Sequence, residues 1–119
     1  MRVWFGGLWL GATGCEAQVC GLLGSYDGEF EGDLAGTVAA AISEDPKDPT
    51  ARAIASFVLE TADTQLEGNG YAQCDSGELT LDLTDLEGTQ VGDVLGALTD
   101  GEGHGDWSLF DGRGGTWFY

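Results

Sequence analysis

Residues 26–34 alternate strictly with a two-residue period. Tyr26, Gly28, Phe30, Gly32 and Leu34 fall on one parity, and Asp27, Glu29, Glu31 and Asp33 on the other. Successive strand side chains point to opposite faces, so this segment predicts a strand with an aromatic and glycine face turned inward and four carboxylates turned outward. The same period returns where Leu79, Leu81 and Leu83 alternate with Glu78, Thr80 and Asp82. With 21 glycines and 2 prolines among 119 residues, the chain is interrupted too often for long helices but suits short strands joined by tight turns. A chain of this length supports one hydrophobic core.

The remaining segments are read against that pattern. Thr37 to Ile42 continues the first strand or starts a second after a bend at Gly36, and Glu44 to Pro49 is a loop. Thr50 to Leu66 supports two readings. Asp48-Pro49 resembles a helix cap and first turn, with Ala51, Ile54, Ala55, Val58 and Ala62 at helical spacing. Ala53, Ala55, Phe57 and Leu59 alternate equally well, and flanking strands favour a strand here too. Gln65 to Cys74 and Gly77 to Leu86 read as a hairpin around Asp75-Ser76-Gly77. Thr89 to Leu98 is a strand or a short helical turn, Asp100 to Gly105 a turn, and Trp107 to Phe110 and Thr116 to Tyr119 are strands. The expected fold is therefore all-β, a small antiparallel meander or barrel, the alternative being α+β with one helix around 50–64.

Acidity dominates the surface chemistry. Twenty-one Asp and Glu stand against 4 Lys and Arg, a formal net charge of −17. No basic patch is present to release counterions from DNA or RNA, so nucleic acid is excluded as a partner. The acidity serves solubility, a salty habitat or the binding of hard cations. For the last, the ladder Asp27, Glu29, Glu31 and Asp33 is the candidate site, for weak calcium binding, although it lacks the loop geometry and carbonyl ligands of a calcium site. No other cofactor is implied.

The N-terminus has the parts of a secretory leader in order: Arg2, the apolar run Val3 to Leu10, and small residues Gly11-Ala12-Thr13-Gly14 before Cys15. The run is too short to cross a bilayer as a helix. Ala12-Thr13-Gly14-Cys15 resembles the lipobox of bacterial membrane lipoproteins, although Ala12 stands where a leucine is usual. The resemblance implies cleavage after Gly14, a lipid on Cys15, and membrane attachment at the cell envelope, on the outer membrane or periplasmic face. The chain then divides into a signal peptide at 1–14, a short tether at 15–24 and a single β-domain at 25–119; the alternative is a secreted protein. With Cys15 assigned to lipid, Cys20 and Cys74 form an even pair, either as a disulfide suited to an oxidising compartment or as two buried thiols.

The pattern Gly-x-aromatic occurs at Gly28-Glu29-Phe30, Gly105-Asp106-Trp107 and Gly115-Thr116-Trp117. It is similar to the Gly-x-Trp pieces of calycin-type barrels and of glycine-rich envelope β-domains, which implies a tightly curved sheet. A cavity lined by Tyr26, Phe30, Trp107 and Trp117 implies a lipocalin-like small-ligand carrier; a filled interior implies a structural or protein-binding module. Trp117-Phe118-Tyr119 resembles the ending of outer-membrane barrels, but the outward Asp and Glu do not suit a lipid-facing surface. Catalysis finds no support: His104 sits among glycines without a rigid partner, and no serine has a nucleophile-elbow context. The expectation is a binding or structural module rather than an enzyme, with a hydrolase the least favoured reading.

Overall fold

The structure, a computed structural model, describes residues 20–119. Cys15 and the leader lie outside the described residues. Eight strands follow one another: β1 (Gly24–Gly32), β2 (Gly36–Glu44), β3 (Arg52–Glu60), β4 (Gln65–Gln73), β5 (Glu78–Thr84), β6 (Gln90–Thr99), β7 (Glu102–Leu109) and β8 (Gly114–Phe118). Each pairs antiparallel with the next. β8 then pairs with β1, Phe118 opposite Glu29 and Gly115 opposite Gly32, which closes an up-and-down barrel without free edges. The all-β expectation holds, and no helix occurs among the described residues.

The interior is built from the inward parity of every strand. In β1 this places Phe30 inside and Asp27, Glu29 and Glu31 outside, as the alternation predicts. In β3 it buries Ala53, Ala55, Phe57 and Leu59, all at 0–1 % exposure. The helical alternative loses there because a stripe through Ile54 and Val58 would leave Phe57 and Leu59 in water, whereas the strand buries both. Asp48-Pro49 belongs to a turn organised by Asp45. That carboxylate accepts hydrogen bonds from Lys47 N at 3.0 Å and Arg52 Nε at 2.7 Å, which together hold its pKa below the ordinary carboxylate value. The stabilisation from this contact is present above the usual carboxylate range and is lost as pH falls through the depressed value.

Several boundaries differ from the sequence reading, among them the end of β1 at Gly32, short of Leu34, and the start of β8 at Gly114, ahead of Thr116. The turn expected over 100–105 is confined to Asp100 and Gly101, the latter at φ 85°. His104 is accordingly not a turn residue: it lies on the exposed outer face of β7, opposite Ala97 and Phe118. Phe110, expected to end a strand, lies in the turn that follows β7. The glycines that imitate a turn are inside the strand because neighbouring strands leave no room for a side chain. A Cβ on Gly105 would run into the Leu95 carbonyl oxygen, and one on Gly115 into that of Glu31. Those two oxygens are the ones the indoles satisfy: Trp117 Nε1 donates to Leu95 O at 3.2 Å and Trp107 Nε1 to Glu31 O at 3.1 Å. The two Gly-x-Trp segments thus meet at shared carbonyls, the close glycine coming from one segment and the indole donor from the other.

A disulfide joins Cys20 and Cys74, whose Cα atoms are 5.3 Å apart. It ties the segment before β1 to the β4–β5 turn, at one pole of the barrel. There Leu22 is buried at 6 % exposure, and the Tyr26 hydroxyl donates to Leu23 O at 2.9 Å. Tyr119 stacks on Tyr26 with ring centroids 4.5 Å apart. This pole is filled.

Burial leaves the Tyr119 hydroxyl without a hydrogen-bond partner among the described residues and, ahead of the Tyr26 charge, pushes its pKa up to about 12 from an ordinary value of 10.0. A raised acid pKa means that the fold retains the proton more tightly than the unfolded chain. The associated stability is complete below pH 10.0 and declines as pH rises toward about 12. Tyr119→Phe is expected to change stability at neutral pH by about 1 kcal/mol or less, since no bond is lost. It should also shallow the alkaline decline, read as the urea midpoint followed from neutral to alkaline pH.

Candidate functional site

The sequence-derived candidates are placed as follows. Phe30, Trp107 and Trp117 are buried at 1–2 % exposure. Phe30 packs edge-to-face on Trp107 with centroids 5.8 Å apart, and Phe57 does so on Trp117 at 5.0 Å. A water-sized void beside these rings would register as exposure, so they fill the interior rather than line a cavity. Eight strands leave an interior just wide enough for side chains to fill it. Tyr26 is half-buried in the plugged pole. Phe30, Trp107 and Trp117 thus pack within the barrel, and Tyr26 stacks on Tyr119 at the filled pole.

The carboxylate ladder also does not converge. Asp27, Glu29 and Glu31 project from the outer face of β1, each roughly 7 Å from the next because alternate strand residues are two rises apart. Their cross-strand neighbours are Ala39, Thr37, Thr116 and Phe118, none of which ligates a hard cation as a carboxylate does. Asp33 leaves the ladder altogether: it lies past the end of β1, and its Oδ2 accepts from Gly114 N at 2.9 Å. Among the described residues no three His, Cys, Asp or Glu side chains are grouped as a metal site requires.

What the closed barrel does assemble lies at the pole opposite Cys20. An up-and-down meander puts alternate turns at the same end, so residues 33–35, 61–64, 85–89 and 110–113 surround one mouth. Three of these turns are shaped by a short polar side chain of their own. Thr61 Oγ1 accepts from Asp63 N at 3.1 Å and Thr64 N at 2.9 Å. Asp85 Oδ1 accepts from Glu87 N and Thr89 N, both at 3.0 Å. Asp111 accepts from Arg113 N at 3.1 Å and is bridged by the Arg113 guanidinium at 2.8 Å. The guanidinium holds the Asp111 pKa below the ordinary carboxylate value, and the carboxylate in turn raises that of Arg113. Asx and ST turns of this kind satisfy backbone donors locally and fix the loops without a packed interior beneath them.

Within this frame lies an open pocket of about 440 Å³. Leu66 and Leu109, each at least nine-tenths buried, and the more open Leu34 and Val91 form its apolar lining. Phe110, 67 % exposed, stands at its edge, with Thr64, Asp85, Gln90, Asp111 and Arg113 supplying polar atoms. Three of the four turns at this mouth carry a large apolar residue, namely Leu34, Leu86 and Phe110. The three turns at the opposite pole, 45–51, 74–77 and 100–101, carry no Leu, Ile, Val, Met, Phe, Tyr or Trp. Turn chemistry asks for polar or flexible residues, so the exposed Leu86 and Phe110 and the half-buried Leu34 set this pole apart from the other.

None of these mouth residues is singled out by the sequence reading. The available signal was an apolar residue embedded in an acidic turn, as in Asp33-Leu34, Asp85-Leu86-Glu87 and Phe110-Asp111. It becomes meaningful only once the strand count assigns those turns to one end. In comparisons with known proteins, the chain matches no protein family, no curated protein and no solved structure.

Proposed function

We propose that the chain is an exported, lipid-anchored envelope protein whose barrel is a binding module, displaying the apolar mouth away from the membrane. The observation that carries the reading is the opposition of the two ends: Cys20 and Cys74 close one pole, and the apolar turn residues surround the other. A lipid on Cys15 would lie five residues from Cys20, a span of at most ~18 Å when fully extended. The plugged pole is then held near the bilayer and the mouth is directed outward. The disulfide is consistent with an oxidising compartment. The packed interior supports binding at the mouth rather than enclosure of a ligand inside the barrel.

Binding, rather than catalysis, is also favoured by the surroundings of the mouth. Asp85, Asp111 and Arg113 are engaged in shaping their own turns, Gln90 is bonded to Asp82 and Asp93, and His104 lies outside the pocket lining on the outer face of β7. The test is cell fractionation of wild type and Cys15→Ser in a Gram-negative host. Wild type should remain with membranes through high-salt and carbonate washing, and Cys15→Ser should be lost from the washed membrane fraction. Equal partition of the two proteins would remove the anchor from the account.

A further inference from the structure

The mouth combines an apolar lining with a one-sided field. Its four turns carry Asp33, Asp63, Asp85, Glu87 and Asp111 against a single cation, Arg113. That cation is already committed, with its Nη2 at 2.8 Å from Asp111 Oδ2 and its Nε at 3.0 Å from the same atom. An anionic ligand entering the pocket would therefore meet no uncommitted cation in these turns, and it would approach a chain of net charge −17. The lining itself holds Asp85 and Asp111 beside Arg113, and the excess of carboxylates in the surrounding turns and the chain's net charge of −17 would draw a cation toward it, since an excess of one sign around a cleft raises the local concentration of the opposite ion. The exposed ring of Phe110 offers a π face to such a group at the pocket edge. The apolar lining, in contrast, rewards desolvation of hydrocarbon and gives nothing to a bare metal ion or a polyamine.

We propose that the mouth binds an apolar organic cation, with an alkyl or aryl body in the pocket and an ammonium group among the rim carboxylates. The inference rests on the mouth as the binding site proposed above, but not on export or on the lipid. A pocket of about 440 Å³ falls within the range of small-ligand sites and accommodates a short chain.

The test uses the full chain carrying Cys15→Ser, which needs no detergent and leaves residues 20–119 unchanged. Octyltrimethylammonium and octyl sulfate, matched in chain and opposite in charge, are titrated below their micellar concentrations by calorimetry and by amide chemical-shift changes. The cation should bind on the order of tenfold more tightly at low ionic strength, with the gap closing as salt is raised. Shifts should centre on Leu66, Val91, Leu109 and Phe110. Val91→Trp, which fills the pocket, should abolish binding of both probes. Should that variant not fold, Asp63→Asn with Glu87→Gln decides the matter. Asp63 and Glu87 shape their turns through backbone N–H groups, so the pair should narrow the cation preference without loss of the fold. Equal or tighter binding of octyl sulfate, no binding of either probe, or a preference unchanged by the rim variant would overturn the proposal. Because the anchor is absent from this protein, such a failure is separate from any failure of the fractionation test.

Discussion

Trp117→Ala is expected to destabilise the barrel by about 3–5 kcal/mol, the range for truncating a large buried aromatic. Two losses add. The first is packing: Trp117 is 1 % exposed and makes an edge-to-face contact with Phe57 and a stacked contact with Tyr119. The second is polar: the indole is the donor to Leu95 O, at a place where Gly105 brings the adjacent backbone close. Trp117→Phe separates the two, because it keeps much of the ring and removes only the N–H. Its cost should be smaller, about 1–3 kcal/mol, of which the unpaired carbonyl is a principal part. Urea unfolding followed by far-ultraviolet circular dichroism measures both. Equal losses for the two variants would mean that the hydrogen bond carries the effect and packing adds little, whereas no loss for Trp117→Phe would mean that packing alone acts.

Opening the disulfide is expected to cost a similar amount. Cys20 and Cys74 are 54 residues apart, and closing a loop of that size restricts the unfolded chain by about 4 kcal/mol in the chain-entropy description. For a barrel of about one hundred ordered residues that is a large share of a typical net stability of about 5–15 kcal/mol. Cys20→Ala with Cys74→Ala should lower the urea midpoint accordingly, and reductant should move wild type toward the same value. The strand meander itself does not need the bond, since every strand is paired on both sides without it. The reduced protein is thus expected to remain a barrel with a loosened Cys20 pole.

Strand parity was the most legible part of the fold. Leu79, Leu81 and Leu83 identify β5 by alternation alone, and Tyr26 to Leu34 orient β1, because a two-residue period admits only one solution when one face is buried. β3 was ambiguous for a definite reason: small alanines fit helical and strand stripes equally, and only the placement of Phe57 and Leu59 separates them. The start of β7 was obscured because Gly101, Gly103 and Gly105 look alike in sequence. Gly101 serves a positive φ, whereas Gly105 serves a close strand contact. Cys20 and Cys74 paired as cysteine counting suggested.

Site residues were far less legible. Aromatic character singled out Phe30, Trp107 and Trp117, but aromatic rings are also the natural filling for a small barrel, and that is where they lie. The mouth draws Leu34, Leu66, Val91, Leu109 and Phe110 from five separate segments, and no local pattern joins them before the barrel closes. The carboxylate alternation of β1 reads out only as strand parity: Asp27, Glu29 and Glu31 form a linear row on the outer face, and Asp33 lies past the strand's end.

The central claim, an exported barrel held by a lipid at its plugged pole, is tested most directly by intact mass spectrometry of protein isolated from membranes, before and after reduction. The account predicts a chain beginning at Cys15, with added acyl mass on that residue and a gain of two hydrogens on reduction, assigned to Cys20 and Cys74. A chain that retains Met1 and carries three free thiols would contradict it.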